Sequence, residues 1–262
     1  MTFRNFLSTG LHGGFNPFGT VNHFESRQFG KEVRFAPSYR VGGFYSSDYS
    51  KKFAIDFRGN WRQFAGTDQY SVSGNVSPRV RLWERMFIVL RSNAEFIHDD
   101  YGYVSIIDDN YSDEIILGYR DRTIVENSIN MEFIFTNRMG IDLRLRHYWQ
   151  QVKYNRFGEL QDAGYLEESD YFPMADDGSS LHNTSYNAFT LDVNYRWVFI
   201  PGSELRVVYK NNIFNSQQQI IPSYFSNFQT LFAQPQINSI SVKILVFLDA
   251  IYLRKGNKTG IR

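Results

Sequence analysis

The sequence predicts an all-β fold, an antiparallel transmembrane β-barrel of the outer-membrane type. Three observations predict it. Period-two alternation runs through most of the chain, and the apolar face of each alternating segment carries no Lys, Arg, Asp or Glu. The segments last about 11–15 residues, where strands of soluble proteins usually last about 5–6. Short turns also alternate with longer connections, the arrangement of periplasmic turns and external loops.

Each strand can be read in order. Residues 2–13 give a weak first strand, and 31–44 a second. In 51–64, Phe53, Ile55, Phe57, Gly59 and Trp61 face one way, and Asp56, Arg58, Asn60 and Arg62 the other. Strands follow over 69–82, 85–98 and 123–137. In 139–150, Ile141, Leu143, Leu145, His147 and Trp149 oppose Asp142, Arg144, Arg146, Tyr148 and Gln150. In 189–199, Phe189, Leu191, Val193, Tyr195, Trp197 and Phe199 oppose Thr190, Asp192, Asn194 and Arg196. After 203–213, a last strand sets Ile240, Val242, Ile244, Val246, Leu248, Ala250 and Tyr252 against Ser241, Lys243 and Asp249. A Lys or Arg on the apolar face would cost about 2–4 kcal/mol at a bilayer midplane, so its absence is what lipid contact predicts.

Alternation alone also fits a soluble β-sandwich or lipocalin-like barrel with the apolar face inward. Strand length, connections and tryptophans separate the two. Short turns fall near Tyr49, Trp83, Asn137 and Pro201, while 14–30, 99–122, 154–186 and 214–237 are expected to be long loops. The connection at 65–68 is short on the long-loop side. With short turns at the lower interface, Trp83 and Trp197 form one aromatic girdle. Trp61 and Trp149 lie about nine or ten residues above a turn, ~25 Å higher at ~3.4 Å per residue and ~40° tilt, and form the second. An open edge in hydrocarbon leaves backbone groups unpaired at several kcal/mol each, so the sheet is expected to close. About ten strands are supplied, read as part of a larger barrel.

Composition agrees. Aromatics make up 17% of the 262 residues, more than a globular core readily uses. The 28 Lys+Arg against 27 Asp+Glu leave a net charge of +1, which gives no reason to expect a nucleic-acid partner. With 0 Cys, thiol catalysis, disulfides and cysteine-ligated metals are excluded. Mean hydropathy is -0.39 and no apolar run approaches the roughly 18–20 residues of a membrane helix, a result a barrel also gives. The opening Met1-Thr2-Phe3-Arg4-Asn5-Phe6 has no signal-peptide character. The chain 1–262 therefore reads as a single barrel domain lacking its natural leader.

The segments Gly118-Tyr119-Arg120-Asp121-Arg122-Thr123-Ile124-Val125-Glu126-Asn127-Ser128, Leu143-Arg144-Leu145-Arg146-His147-Tyr148-Trp149 and Pro201-Gly202-Ser203-Glu204-Leu205 have a further meaning. They resemble the C-terminal barrel of a family of Gram-negative outer-membrane proteins of unknown function. Members carry an N-terminal module similar to family 9 carbohydrate-binding modules, which this chain lacks. The resemblance implies an outer-membrane location and brings no catalytic residues with it.

Chemistry is sparse. No nucleophile elbow, Walker loop or dinucleotide fingerprint is present. His12, His23, His98, His147 and His182 lack metal-ligand spacing, and His147 is read as an interfacial aromatic on the lipid-facing row. Asp108, Asn110, Ser112 and Glu114 begin like a calcium loop without its turn glycine, so a solvated loop is preferred and no metal or cofactor is assigned. Asp176-Asp177-Gly178 is weaker still.

The lumen-facing row carries Arg58, Arg62, Arg79, Arg81, Arg144, Arg146, Arg196 and Arg206 with Asp142 and Asp192, besides Lys210 and Lys243. It either brackets hydrophilic solutes or braces the wall by cross-strand pairing, and bracing is preferred because any polar residue suits a wet interior. Loops 154–186 and 214–237 combine aromatics with polar groups fit to stack a sugar or to plug the lumen.

Three functions follow: a non-enzymatic anchor or passage for a periplasmic carbohydrate-binding-like module, a pore for hydrophilic or saccharide solutes, and the membrane part of a glycan-acting hydrolase. The expected partners are outer-membrane lipid and a saccharide. Oligomeric state is left open.

Overall fold

A computed structural model describes residues 2–108, 113–221 and 223–248. The described elements are β1 (Ser8–Asn16), β2 (Thr20–Asn22), β3 (Val33–Phe35), β4 (Ser38–Ser46), β5 (Phe53–Phe64), β6 (Tyr70–Trp83) and β7 (Met86–Asp108). They continue with β8 (Asp113–Thr136), β9 (Met139–Leu160), β10 (Leu166–Ser169), β11 (Thr184–Ile200), β12 (Ser203–Gln217), α1 (Tyr224–Leu231) and β13 (Gln236–Leu245). The fold is all-β and antiparallel. Ten strands form one ladder in the order β1-β4-β5-β6-β7-β8-β9-β11-β12-β13, with β10 beside β9 and β2–β3 as a separate pair. Among the described residues β1 and β13 are each paired on one side only, so the described ladder is open.

The ten ladder strands match the ten read from alternation, but the connections differ: the expected loop 14–30 contains β2, and 154–186 contains the end of β9 and β10. The expected strand over 31–44 is split into β3 and β4 at Ala36-Pro37, because proline has no N–H for the ladder and restricts the residue before it. The expected loop 99–122 is mostly strand: β7 and β8 continue upward as one hairpin, and β9 runs on to Leu160. The expected loop 214–237 contains α1, capped by the Ser223 hydroxyl, which accepts the Ser226 N–H at 3.3 Å. Of the last expected strand, Asp249, Ala250 and Tyr252 lie outside the described residues.

Pro78 sits inside β6 and cannot donate to β7. Its register partner there is Leu90, whose carbonyl instead accepts the buried Ser77 hydroxyl at 3.2 Å. One side chain thus repairs the rung its neighbour removes.

The main hydrophobic core lies at the upper end of the ladder, where β7, β8 and β9 extend beyond their neighbours. Val33, Ile115, Leu117 and Leu160 are buried there, with Phe35, Tyr101, Tyr103 and Leu166 packed around them. The β2–β3 pair and its linker cover the side of β7 that β6 no longer reaches: Glu25 accepts the Tyr103 N–H at 3.0 Å, and the Tyr101 hydroxyl donates to the Arg34 carbonyl at 2.8 Å. A free strand edge is satisfied by side chain and loop rather than by another strand. Burial, with Tyr119 and Asp100 nearby, pushes the Tyr101 hydroxyl far above its ordinary pKa.

Candidate functional site

The register separates two faces across all ten ladder strands. One face carries Leu11, Val41, Phe57, Trp61, Val76, Leu90, Ile129, Leu145, Leu191, Val207 and Ile240, and their same-parity neighbours. From Thr9–Phe15 through Tyr39–Tyr45, Phe53–Trp61, Tyr70–Val80, Ile88–His98, Thr123–Phe133, Ile141–Gln151, Ser185–Trp197, Leu205–Ile213 and Gln236–Ile244 it holds no Lys, Arg, Asp or Glu. Many of its large side chains are exposed, among them Leu11, Val41, Phe53, Val72, Ile240 and Val242.

The other face holds all twelve charged residues assigned to the lumen-facing row from the sequence. Recesses cut into it. One of about 310 Å³ touches Arg58, Asn60, Ser73, Asn93, Glu95, Glu126 and Tyr148, side chains from five successive strands, β5 to β9. Reaching five strands at once requires the sheet to curve toward this face. A second, of about 440 Å³, is lined by Asn130, Glu132, Asp142, Arg144, Asp192 and Asn194.

Charges on this face are partly paired. Arg79 meets Asp56 at 3.0 Å and lies over the Tyr49 ring at 3.9 Å, and Asp56 also accepts the hydroxyls of Ser46 and Tyr49. Arg146 meets Asp192 at 3.2 Å. Arg196 and Arg206 grip Glu204 at 2.9 and 2.7 Å. Arg62 donates to the Ser38 hydroxyl, Arg144 to Asn130, and Asp142 accepts from Asn194. Such pairs tie neighbouring strands together, with only a small net contribution to stability at this exposure. Arg58 and Arg91 make no ion pair among the described residues, and both line a recess of about 580 Å³ with Asn75 and Asn93. Arg81 lies lower, beside Trp83 and the β6–β7 turn.

The tryptophans divide. Trp61, Trp83 and Trp197 are exposed, as a girdle requires. Trp149 is only 5% exposed and His147 only 3%, so neither is the surface residue its strand position suggested. The cause is α1, which returns onto the charge-free face. Tyr224 packs edge-on against both His147 and Trp149, and its hydroxyl lies 3.0 Å from His147 Nδ1 and accepts from Asn127 at 2.8 Å. Asn187 bridges His147 Nε2 at 2.8 Å and Asn227 of the helix. Leu231 completes a small core with Phe189 and Ile213. The sequence signal was available: Ser223 as N-cap, then Tyr224, Asn227, Phe228 and Leu231 at helical spacing.

Above the ladder, His182 rests against Phe157 and Tyr154, with the Tyr171 hydroxyl 3.0 Å from its Nε2; burial lowers its pKa. Of the loop aromatics read as a sugar platform, Tyr171 and Phe172 pack against Phe157 instead. At the lower turns, the Ser50 backbone N–H holds Asp48 below the ordinary carboxylate range. Among the weak calcium ligands, Asn110, Ser112 and the Asp108 side chain lie outside the described residues. No group of three or more His, Asp or Glu among the described residues is placed to hold a metal.

A family model described as "Domain of unknown function (DUF5916)" matches residues 1–256, and the chain belongs to that family. No curated protein and no solved structure matches.

Proposed function

For this member of a family of unknown function, we propose that the chain is membrane wall: an outer-membrane β-barrel segment with lipid on its charge-free face and water on its charged one. The carrying observation is that the charge-free face continues through ten strands while much of it stays exposed. At about 4.8 Å per strand and ~25 Å of height this face covers about 1,200 Å², against roughly 300–600 Å² for the largest apolar patch of a typical soluble monomer. Lipid is the medium in which such a surface is stable. The reading requires the outer edges of β1 and β13 to be paired in the membrane, with each other or with strands outside the described residues.

Its role is then that of an anchor or passage for a periplasmic module, carbohydrate-binding by the family resemblance drawn from the sequence. No catalysis is assigned to the chain. The test is to refold the protein in detergent micelles and compare its migration on a denaturing gel with and without boiling. A faster-running, heat-sensitive band supports a closed wall. A monodisperse monomer stable in buffer without detergent rejects the reading.

A second reading, a pore for hydrophilic solutes, is favoured by Arg58 and Arg91, which make no ion pair among the described residues and line a polar recess with Asp56 and Arg79. Single-channel steps in planar bilayers that change selectivity in Arg58→Glu would support it; a folded wall that never conducts would count against it.

A further inference from the structure

We infer that α1 is an interfacial helix, lying crosswise on the outer surface of the wall where the hydrocarbon ends and presenting a phenylalanine flank to the lipid. The inference rests on the membrane reading above and places one element within it.

Position comes first. The residues under α1 form a single row of the ladder: Asn127 on β8 opposes His147 on β9, which opposes Phe189 on β11, which opposes Ile213 on β12. Tyr224, at the start of the helix, touches Asn127 and His147, whereas Leu231, at its end, sits with Phe189 and Ile213. The helix therefore crosses the strands instead of following them. A tilted row could still climb through a bilayer, so height is better measured from the short turns. Asn127 and His147 lie ten and nine residues above Asn137 and Arg138, and Phe189 and Ile213 lie twelve and eleven above Pro201 and Gly202. At ~3.4 Å per residue and ~40° tilt these are about 23–31 Å, the upper limit of a ~25 Å apolar band.

The wall agrees with that height. Below the row the face is aliphatic at Leu143, Leu145, Leu191 and Val193. At the row and just above it, polar Asn127, His147, Gln151, Ser185 and Asn187 enter beside Trp149, Phe189 and Ile213. These groups would be costly against bare acyl chains, and α1 covers them: Asn187 bonds Asn227, Gln151 bonds the Ile221 carbonyl, and Tyr224 bonds Asn127 and lies against His147.

Finally, the helix has the chemistry of an interface. At 100° per residue, Tyr224, Asn227, Phe228 and Leu231 make the wall-facing stripe, while Phe225 and Phe232 share a flank roughly 90° away. Phe225 is 75% exposed and Phe232 45%. The far side is Ser226, Gln229 and Thr230, polar but uncharged. Between Lys210 and Lys243 the chain carries no Asp, Glu, Lys, Arg or His, so nothing in this connection draws it into bulk water or toward a charged partner. An exposed phenyl flank on an uncharged helix at the top of an apolar wall fits the headgroup–acyl boundary, where amphipathic helices lie in plane.

The absence of cysteine makes the test clean. Phe225→Cys on the helix and Leu90→Cys on the wall, both exposed and outside the packed cores, are labelled with an environment-sensitive fluorophore. Leu90 is five residues above Arg85 in the short β6–β7 turn, about 13 Å up and near the middle of the band. Each full-length protein is refolded into phosphatidylcholine vesicles containing quencher-bearing lipids, either near the headgroup or deep in the acyl chain. The Leu90 label should lose more intensity to the deep quencher. The Phe225 label should show a blue-shifted emission and lose more to the shallow one. A Phe225 label that emits as in water and is quenched by neither, beside a Leu90 label quenched as expected, overturns the interfacial helix and leaves the membrane reading standing. If neither label is quenched, the membrane reading itself fails and the helix assignment with it. Phe232→Cys repeats the measurement one flank position on and must agree with Phe225.

Discussion

Leu90 and Phe96 offer a controlled comparison of water with lipid. Both lie on the charge-free face of β7, and they are 38% and 37% exposed. In water, positions so alike should tolerate arginine alike, within about 0.5 kcal/mol. Depth distinguishes them in a bilayer. Leu90 is five residues above Arg85 in the β6–β7 turn and Phe96 eleven, or about 13 and 29 Å at ~3.4 Å per residue and ~40° tilt. The first is near the middle of a ~25 Å band and the second at its upper edge, so arginine should cost about 2–4 kcal/mol at Leu90 and about 0–1 at Phe96. Phe96 also stacks near Tyr70 and His98, and its loss would confuse the comparison. The quantity to measure is therefore the step from alanine to arginine at each site, because the packing of the native side chain is missing from both variants and cancels. Equilibrium unfolding in guanidinium after refolding into vesicles, followed by tryptophan emission, gives both steps. The Leu90 step should exceed the Phe96 step by about 2–3 kcal/mol. Equal steps would refute the assignment of this face to lipid.

Other outcomes follow from single interactions. Ser77→Ala removes the donor that satisfies the Leu90 carbonyl beside Pro78 and should destabilise by about 1–3 kcal/mol in the same unfolding assay. Gly42→Ala would place its Cβ 2.4 Å from Asn60 Oδ1 and 2.7 Å from His12 Nε2, the two atoms of a cross-strand hydrogen bond, at a cost of about 1–3 kcal/mol. Loosening of β1 by amide hydrogen exchange should report it first. Tyr224→Phe leaves the Asn127 amide without its acceptor under α1, costing about 1–2 kcal/mol and raising exchange across residues 224–231. For His182 the folded pKa is below the unfolded value. Its contribution is therefore complete above about pH 6.5 and falls away as pH drops through the folded pKa, since the unfolded chain takes the proton first. Proteolytic nicking within 170–183 should accordingly be faster at acid pH than at neutral pH, and His182→Phe should flatten that difference.

The ladder strands were legible because their alternation is unbroken: β5, β9 and β11 each keep parity over the stretch read from the sequence. What escaped is where parity shifts. On β7 the charge-free face carries Phe96 and His98, both even, but above the irregularity between Ile97 and Asp100 it carries Tyr101 and Tyr103. A second shift sits where β8 meets β9: Tyr119 and Arg120 pair with Arg156 and Tyr154, so the extra residue is Asn155 on β9. A period-two reading breaks at such points, so residues 99–122 resemble a loop although they form a hairpin. The site was legible as a face, and all twelve charged residues read onto it share it. Their pairing was not, because Asp56–Arg79 and Arg146–Asp192 join different strands whose register no single segment reveals. His147 and Trp149 mark the other limit. Alternation assigns them correctly to the charge-free side, but it cannot say that a helix from eighty residues further along returns to cover them.

Curvature bears on the two solvents that alternation leaves open. In a soluble barrel the charge-free face would be concave and its side chains would converge to fill an interior. Here the recess that reaches from β5 to β9 is on the charged side, so Arg58, Glu95, Glu126 and Tyr148 converge while Phe57, Val76 and Leu90 spread outward. α1 lies on the outward side too, over the row of Asn127, His147, Phe189 and Ile213, with Leu145 and Leu191 packed against the core it completes. If this face meets lipid, as proposed, the helix gives Asn127, His147 and Asn187 the hydrogen-bond partners that acyl chains would not supply.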